Sequence, residues 1–220
     1  MKKTNNTINI IFDWGGSIIR DYALFEYISF KSNNSITKWK SPKSWNSIRS
    51  LCNEDCFSKI ENNFFEYSKD FYYKDSINII NKYFKSNTCS KTKSFIIYDS
   101  NPVLKMSNNK IEFLFSKVVS SLGININGVF VHKDKLKIYK DLNIFIAVDD
   151  DPRVASYLAS SGIKCILLLR KWNKDFNLEF IDFVLKNEHV ERIKNNIFLA
   201  EDWVEVDYYI NKIILEYNEI

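Results

Sequence analysis

"NIIFDWGGSII", residues 9–19, joins an apolar run to a carboxylate and two adjacent glycines. The chain has only five glycines in 220 residues, so a pair of them directly after an apolar run calls for an explanation. The run does not alternate with polar residues, which is typical of a strand buried on both faces of a parallel sheet. Glycine permits a tight turn and a close approach of the backbone to a ligand. The stretch therefore predicts a buried strand that ends at Asp13 and a functional turn after it.

Similar apolar runs and helical patterns alternate along the rest of the chain. The runs lie at 94–98, 128–132, 143–148, 164–169 and 196–200. Helical spacing of apolar residues lies at 75–84, 108–123, 151–162 and 202–217. Strands that alternate with helices favour right-handed βαβ units. We therefore expect an α/β fold, a Rossmann-like three-layer sandwich with a mostly parallel sheet.

The segment from residue 18 to 72 lacks a clear buried strand and is rich in aromatics, Lys, Ser and Asn. It predicts a small helical cap (18–72) inserted into a core domain of residues 1–17 and 73–220. Cap aromatics either stack on a substrate base or form the small core of the cap, and the second alternative is favoured. These aromatics are Phe25, Tyr27, Phe30, Trp39 and Trp45.

Composition argues against several classes of protein. The net charge of +4, from 31 basic and 27 acidic residues, is too small a bias to indicate a nucleic-acid partner. There is no apolar run long enough for a membrane span and no signal peptide pattern, so a cytoplasmic protein is expected. Cys52 and Cys56 form one close pair, but there is no second pair and there are only two histidines, so the four cysteines are interpreted as reduced thiols and not as a zinc site.

Polar side chains follow the predicted strands where each one ends. They are Asp13, then Asp99, Ser100 and Asn101, then Lys133 and Lys135, then Asp149, Asp150 and Asp151. Converging carboxylates can hold Mg²⁺, and a lysine and a hydroxyl can bind phosphoryl oxygens. Taken singly, each of these residues is explained by an ordinary cap or turn. The ordered set predicts phosphate chemistry, with backbone amides of the glycine turn facing the phosphate.

These motifs resemble those of the haloacid dehalogenase superfamily of hydrolases, in order and over nearly the whole chain. The resemblance rests on "IIFDWGGSI", "FIIYDSN", "VHKDK" and "FIAVDDDP". The segment "VDDDPRVASYLASSGIKCILLLRKWN", residues 148–173, is similar to the 5'(3')-deoxyribonucleotidase branch, as is "NNIFLAEDWVEV" near the end.

The resemblance implies roles for individual residues. Asp13 would be the nucleophile, and Ser100 with Lys135 would hold the phosphoryl group, with Lys133 as the rival lysine. Gly15, Gly16, Ser17 and Asn101 would contact the substrate. Mg²⁺ would be bound by Asp13, the Gly15 carbonyl, Asp149 and Asp150.

One position departs from the pattern of the family. Its phosphatases carry a second Asp two residues after the nucleophile as general acid and base, and this chain has Gly15 there. Phosphonoacetaldehyde hydrolases of the superfamily, with Asp-Trp-Ala-Gly-Thr, also lack that Asp.

The sequence therefore predicts a Mg²⁺-dependent phosphatase for a small phosphomonoester such as a nucleotide. The alternatives are a catalytically impaired protein that binds a phosphorylated ligand or a protein partner, and a phosphonatase-like C–P hydrolase. A phosphatase for nucleic-acid ends ranks lower.

Overall fold

A six-stranded parallel sheet forms the centre of the protein. The computed structural model describes residues 7–20, 27, 67–85, 92–99, 108–132, 134–170, 173–174 and 190–219. The strands are β1 (Ile8–Asp13), β2 (Thr92–Asp99), β3 (Gly128–His132), β4 (Ile144–Asp149), β5 (Lys164–Leu168) and β6 (Ile197–Ala200). Their spatial order is β3-β2-β1-β4-β5-β6, and every neighbouring pair is parallel. The predicted α/β fold and all six predicted strands are confirmed.

Six helices are described on the two faces of this sheet. They are α1 (Lys74–Lys85), α2 (Asn108–Ser121), α3 (Lys135–Asp141), α4 (Pro152–Ser160), α5 (Val190–Lys194) and α6 (Trp203–Glu219). The four predicted helical patterns correspond to α1, α2, α4 and α6. The short helices α3 and α5 were not predicted, because seven and five residues are too few to show a helical period.

Alternate side chains of each strand enter two separate cores. Ile10 and Phe12 pack with helices α1, α2 and α6 on one face. Ile11 points the other way and packs with α3, α4 and α5. Both faces of the sheet are therefore apolar, which explains why the strands have continuous apolar runs. Within the described residues, no helix combines the length and the apolar character that crossing a membrane requires.

The described ends of the predicted cap lie side by side. Ile19 forms an antiparallel bridge with Tyr72. The Arg20 amide donates to the Phe71 carbonyl at 2.7 Å, and the Tyr73 amide donates to the Ile18 carbonyl at 3.0 Å. The chain thus leaves and re-enters the core at one place, beside the turn that follows β1. Most of the segment between these ends lies outside the described residues, so its helical content and the proposed domain division stay predictions.

Candidate functional site

Two carboxylates meet where the strand order of the sheet reverses. From β1 the chain runs outward through β2 and β3 on one side, then crosses back to β4 and runs outward through β5 and β6. Asp13 is the last residue of β1, and Asp149 is the last residue of its neighbour β4. In open α/β sheets the crevice for ligands forms at the carboxyl ends of the strands, at this reversal. Parallel pairing therefore brings together two residues 136 positions apart in sequence.

Lys135 bridges these two carboxylates. Its Nζ lies 2.7 Å from Asp13 Oδ1 and 3.0 Å from Asp149 Oδ2. The side chains of all three residues are at least nine-tenths buried. Lys135 is the first residue of α3, and Asp134 caps that helix by accepting the Lys137 amide. The cap fixes where α3 begins and so directs the ammonium group to the end of β1.

Charge is unbalanced within this cluster. Burial raises the pKa of Asp13 well above its ordinary value; Lys135 opposes the rise, and Asp149 and Asp150 add to it. Burial would lower the pKa of Lys135, but Asp13 and Asp149 outweigh that effect and raise it above its ordinary value. The ammonium therefore stays charged, while the carboxylates around it exceed it in number. Arg170 also acts on Asp150, so three carboxylates lie beside two positive groups, and a bound cation would further favour their ionised forms.

The donor set fits a hard divalent cation. Asp13, Asp149 and Asp150 each offer a carboxylate oxygen within 4.8 Å of the others, and all three residues are buried. Mg²⁺ prefers such oxygen ligands, often with water completing its octahedron. These residues would hold the ion, and its charge would remove the imbalance described above. Asp13, Asp149 and Asp150 are thus brought together as predicted, and their role as metal ligands remains a proposal.

The two glycines after Asp13 differ in their conformation. Gly15 has φ −70° and ψ 135°, which any residue can adopt, whereas Gly16 has φ 65° and ψ −30°. A Cβ on Gly16 would lie 1.8 Å from Asp150 Oδ2. Glycine is thus required at 16 by both dihedral and space, and the backbone at 15 does not require it. The missing carboxylate at 15 is therefore not a consequence of strain in the turn.

The three consecutive aspartates after β4 have different surroundings. Asp149 Oδ2 faces Lys135, while Asp149 Oδ1 accepts the Asp151 amide at 2.9 Å. Asp150 Oδ1 lies 3.3 Å from the buried Ser17 hydroxyl. Asp151 is instead the N-cap of α4 and accepts the Arg153 amide. Because its hydroxyl faces Asp150, Ser17 would contact a substrate through its backbone amide.

A second ring of side chains holds the backbone of the site. Arg170 donates from Nε to the Gly16 carbonyl at 2.9 Å and from Nη2 to the Ser17 carbonyl at 3.0 Å. Trp203 Nε1 also donates to the Ser17 carbonyl, at 3.2 Å. Asn173 Nδ2 donates to the carbonyls of Asp150 and Leu168. No role in the site was predicted for these residues. Arg170 and Asn173 follow β5, so their position at the carboxyl end of a strand is the signal that could have identified them.

Three predicted site residues are not among those described. Ser100 and Asn101 follow β2, and Lys133 follows β3. Their placement in the site stays a prediction. Of the two candidate lysines, Lys135 is the one whose side chain reaches Asp13 in the described part of the chain.

Comparisons with known proteins identify the fold. No family model and no curated protein matches the sequence. Among solved structures, a haloacid dehalogenase-like hydrolase from Streptococcus pneumoniae is 12% identical, with a TM-score of 0.53 over 93% of this chain and 98% of its own. The L-2-haloacid dehalogenase of Xanthobacter autotrophicus is 9% identical, with a TM-score of 0.54 over 94% and 99%.

A third solved structure was determined with a ligand. This HAD family hydrolase from Deinococcus radiodurans, with bound phosphate and sodium, is 8% identical, with a TM-score of 0.52 over 92% of this chain and 94% of its own. Such low identities show likeness of fold alone. The chain therefore has the α/β fold of haloacid dehalogenase-like hydrolases, with a buried carboxylate cluster at the reversal of its strand order.

Proposed function

We propose that this protein is a Mg²⁺-dependent phosphatase that hydrolyses a small phosphomonoester through Asp13. One observation carries the proposal: a buried carboxylate at the strand reversal is hydrogen-bonded to a lysine and surrounded by two further carboxylates. The surplus of acids supports a site built to hold a metal ion together with an anionic substrate.

Mg²⁺ would supply positive charge that lets an anionic nucleophile approach an anionic phosphoryl group. Asp149, Asp150 and the Gly15 carbonyl would hold it, with one oxygen of Asp13. The Lys135 ammonium and the amides of Gly16 and Ser17 would bind the phosphoryl oxygens, as Ser100 would from β2. Because Asp13 and Asp149 both accept hydrogen bonds from Lys135, its ammonium group is held in position before the substrate binds.

The reaction would have two steps. An oxygen of Asp13 attacks phosphorus, the bond to the leaving oxygen breaks, and that oxygen takes a proton from solvent water. Water then attacks the phosphorus of the aspartyl-phosphate, which releases inorganic phosphate and restores Asp13. With glycine at 15, no carboxyl from this position donates the first proton. A general acid typically contributes about 10²–10⁴-fold, so substrates with good leaving groups should be favoured.

A nucleotide is the proposed substrate class. Its support is the similarity of residues 148–173 and of the last strand and helix to the nucleotidase branch. The phosphate bound by the Deinococcus radiodurans hydrolase supports phosphate as the ligand group. Of the aromatics that would stack on a base, Tyr27 is described, and its ring packs against Tyr67 and Phe71. That contact supports the alternative of a small aromatic core at the root of the cap.

The test is a panel of phosphate and phosphonate esters, including nucleotides and phosphonoacetaldehyde, assayed with and without Mg²⁺. We expect Mg²⁺-dependent release of phosphate, and a loss of at least about 10³-fold in the Asp13→Asn variant, which keeps the shape but removes the attacking charge. Circular dichroism controls for folding. Substantial turnover by well-folded Asp13→Asn would contradict the covalent mechanism, and selective cleavage of the phosphonate would favour the C–P hydrolase.

A second candidate function is the binding of a phosphorylated ligand with little or no turnover. The observation that favours it is the ordinary backbone of Gly15, whose dihedral angles do not require glycine.

Gly15→Asp separates the two candidates. In an impaired phosphatase, the new carboxyl should raise turnover of nucleotides by up to about 10²-fold and that of p-nitrophenyl phosphate by less, because nitrophenolate needs little protonation. A stable Gly15→Asp protein that gains nothing on nucleotides would support a binding role or a reaction that needs no acid there.

A further inference from the structure

Arg170 connects three parts of the chain at the edge of the candidate site. It lies two residues after β5, and its two described donors bind the carbonyls of Gly16 and Ser17. Its Cζ also lies 4.1 Å from the centre of the Tyr73 ring. Tyr73 stands where the inserted segment returns to the core, and its amide donates to the Ile18 carbonyl. The guanidinium thus touches both the turn after the nucleophile and the root of the insertion.

The orientation of a peptide plane determines where its amide points. In a trans peptide, the carbonyl and the following N–H face opposite ways, and this chain has no cis peptide among its described residues. A donor that holds the Gly16 carbonyl therefore fixes the direction of the Ser17 amide. Gly16, with φ 65°, lacks the steric restraint that a side chain would give this peptide. The hydrogen bond within the turn, from the Ile19 amide to the Trp14 carbonyl, does not involve the Gly16 carbonyl, which Arg170 holds.

We infer that Arg170 is a positioning residue which, braced on Tyr73, orients the Ser17 amide toward the phosphoryl group of the substrate. The inference rests on the proposed function for its ligand. A rigid planar fork can hold two neighbouring carbonyls at once, whereas a lysine ammonium on a flexible stem cannot reproduce that geometry. Through Tyr73, the same contact makes phosphate binding sensitive to the root of the inserted segment.

A role in stability alone is the rival explanation, because burial of Arg170 and its bonds to carbonyls also tie β5 to the turn. The two explanations differ in what they predict for Mg²⁺ and phosphate. Of the carboxylates that would bind Mg²⁺, Asp13 and Asp149 are held by Lys135 and the Asp151 amide, apart from Arg170, while Asp150 contacts the turn through the Ser17 hydroxyl. A positioning role should therefore weaken phosphate binding much more than Mg²⁺ binding, and a general loss of structure should weaken both alike.

The experiment compares the wild type with Arg170→Lys, Tyr73→Leu and Arg153→Lys. Arg153 is a matched control, since it is an exposed arginine paired with Asp151 outside the site. Calorimetry measures binding of Mg²⁺ alone and then of inorganic phosphate in saturating Mg²⁺, and thermal melting reports the fold. We expect Arg170→Lys to bind phosphate about 10-fold more weakly and to lose about the same factor in kcat/KM, because small misplacement of binding groups costs this much or more. Tyr73→Leu should lose a smaller factor, about 3-fold, since it removes the brace and keeps the fork.

Mg²⁺ affinity should stay within twofold in all four proteins, and Arg153→Lys should match the wild type throughout. A folded Arg170→Lys protein with wild-type phosphate affinity would overturn the inference but not the proposed function. Equal losses of Mg²⁺ affinity and phosphate affinity would do the same. If Arg170→Lys does not fold, unchanged phosphate binding by Tyr73→Leu would overturn it. A wild type that binds no phosphate in the presence of Mg²⁺ would overturn the proposed function and the inference together.

Discussion

The turns after β1 and β4 lie side by side and both begin with a site aspartate, but they are stabilised in different ways. The β4 turn is held largely by contacts within its own sequence, to which Asn173 adds a bond to the Asp150 carbonyl. Asp149 accepts the amide of Asp151, and Asp151 accepts the amide of Arg153 and pairs with its guanidinium at 2.6 Å. Pro152 then begins α4. Each of these contacts within the turn joins residues at most two positions apart.

The β1 turn is held by residues far away in the chain. Its carbonyls at Gly16 and Ser17 accept from Arg170 and Trp203, across 153 to 186 positions. Space for Gly16 is limited by Asp150, which belongs to the other turn. Local capping bonds thus help to place Asp149, whereas the carbonyls of the nucleophile turn depend on residues that the assembled sheet brings near. The two turns should therefore respond differently to mutation.

Of the substitutions that test this difference between the turns, Gly16→Ala should have the largest effect on the free energy of unfolding. A non-glycine residue at positive φ costs about 1–2 kcal/mol, and the clash with Asp150 should add about 1–3 kcal/mol. The free energy of unfolding should fall by the sum, and Mg²⁺ affinity should fall with it because Asp150 must move. Urea denaturation and calorimetry measure the two quantities.

Gly15→Ala is the matched control, because its backbone is ordinary. A change of less than about 0.5 kcal/mol in unfolding free energy is expected there. Equal effects of the two substitutions would show that the turn relaxes freely, contrary to the contrast drawn above.

Asp149→Asn should remove the response to Mg²⁺ while keeping the fold. Loss of one charged ligand should weaken Mg²⁺ by at least about 10-fold, since loss of even an outer partner of a metal site costs that much. Mg²⁺ raises the melting temperature only of a protein that binds it in the folded state. The wild type and Asp151→Asn should therefore melt higher with Mg²⁺, and Asp149→Asn should not. If Mg²⁺ did not raise the melting temperature of Asp151→Asn, the proposed set of metal-binding aspartates would be wrong.

Asp151→Ala should have the smallest effect, on stability alone. Removal of a helix N-cap costs about 1 kcal/mol, and the exposed Arg153→Met control should cost less than about 0.5 kcal/mol.

The Asp151 effect should also depend on pH. Burial would raise the pKa of Asp151, but the hydrogen bonds and charge of Arg153 outweigh it and lower the pKa below its ordinary value. A depressed folded-state pKa contributes stability above the unfolded pKa, and that contribution is lost as pH falls through the folded value. The difference between wild type and Asp151→Ala should thus be constant near pH 6–7 and shrink below about pH 4. A difference that grew toward acid pH would contradict the cap assignment.

The sequence by itself determined the sheet and its chemical edge. Continuous apolar runs allowed all six strands to be predicted, because a strand buried on both faces has no polar positions. Asp13 and Asp149 could be predicted to meet because parallel strands end at the same edge. The start of the pattern predicted at 151–162 agrees with α4, whose first residue Pro152 suits the first turn of a helix for local steric reasons.

Only the tertiary structure decided which neighbours complete the site. It placed Lys135 rather than a residue of another element between the two carboxylates, through a helix too short to predict. It also distinguished Gly15 from Gly16, which look alike in sequence, because Asp150 approaches Gly16 from the turn after the neighbouring strand β4. Arg170, two residues after β5, and Trp203, at the start of α6, contact this turn only because the sheet and its helices are assembled. Contacts between distant residues depend on how the strands and helices pack, and local sequence patterns do not predict that packing.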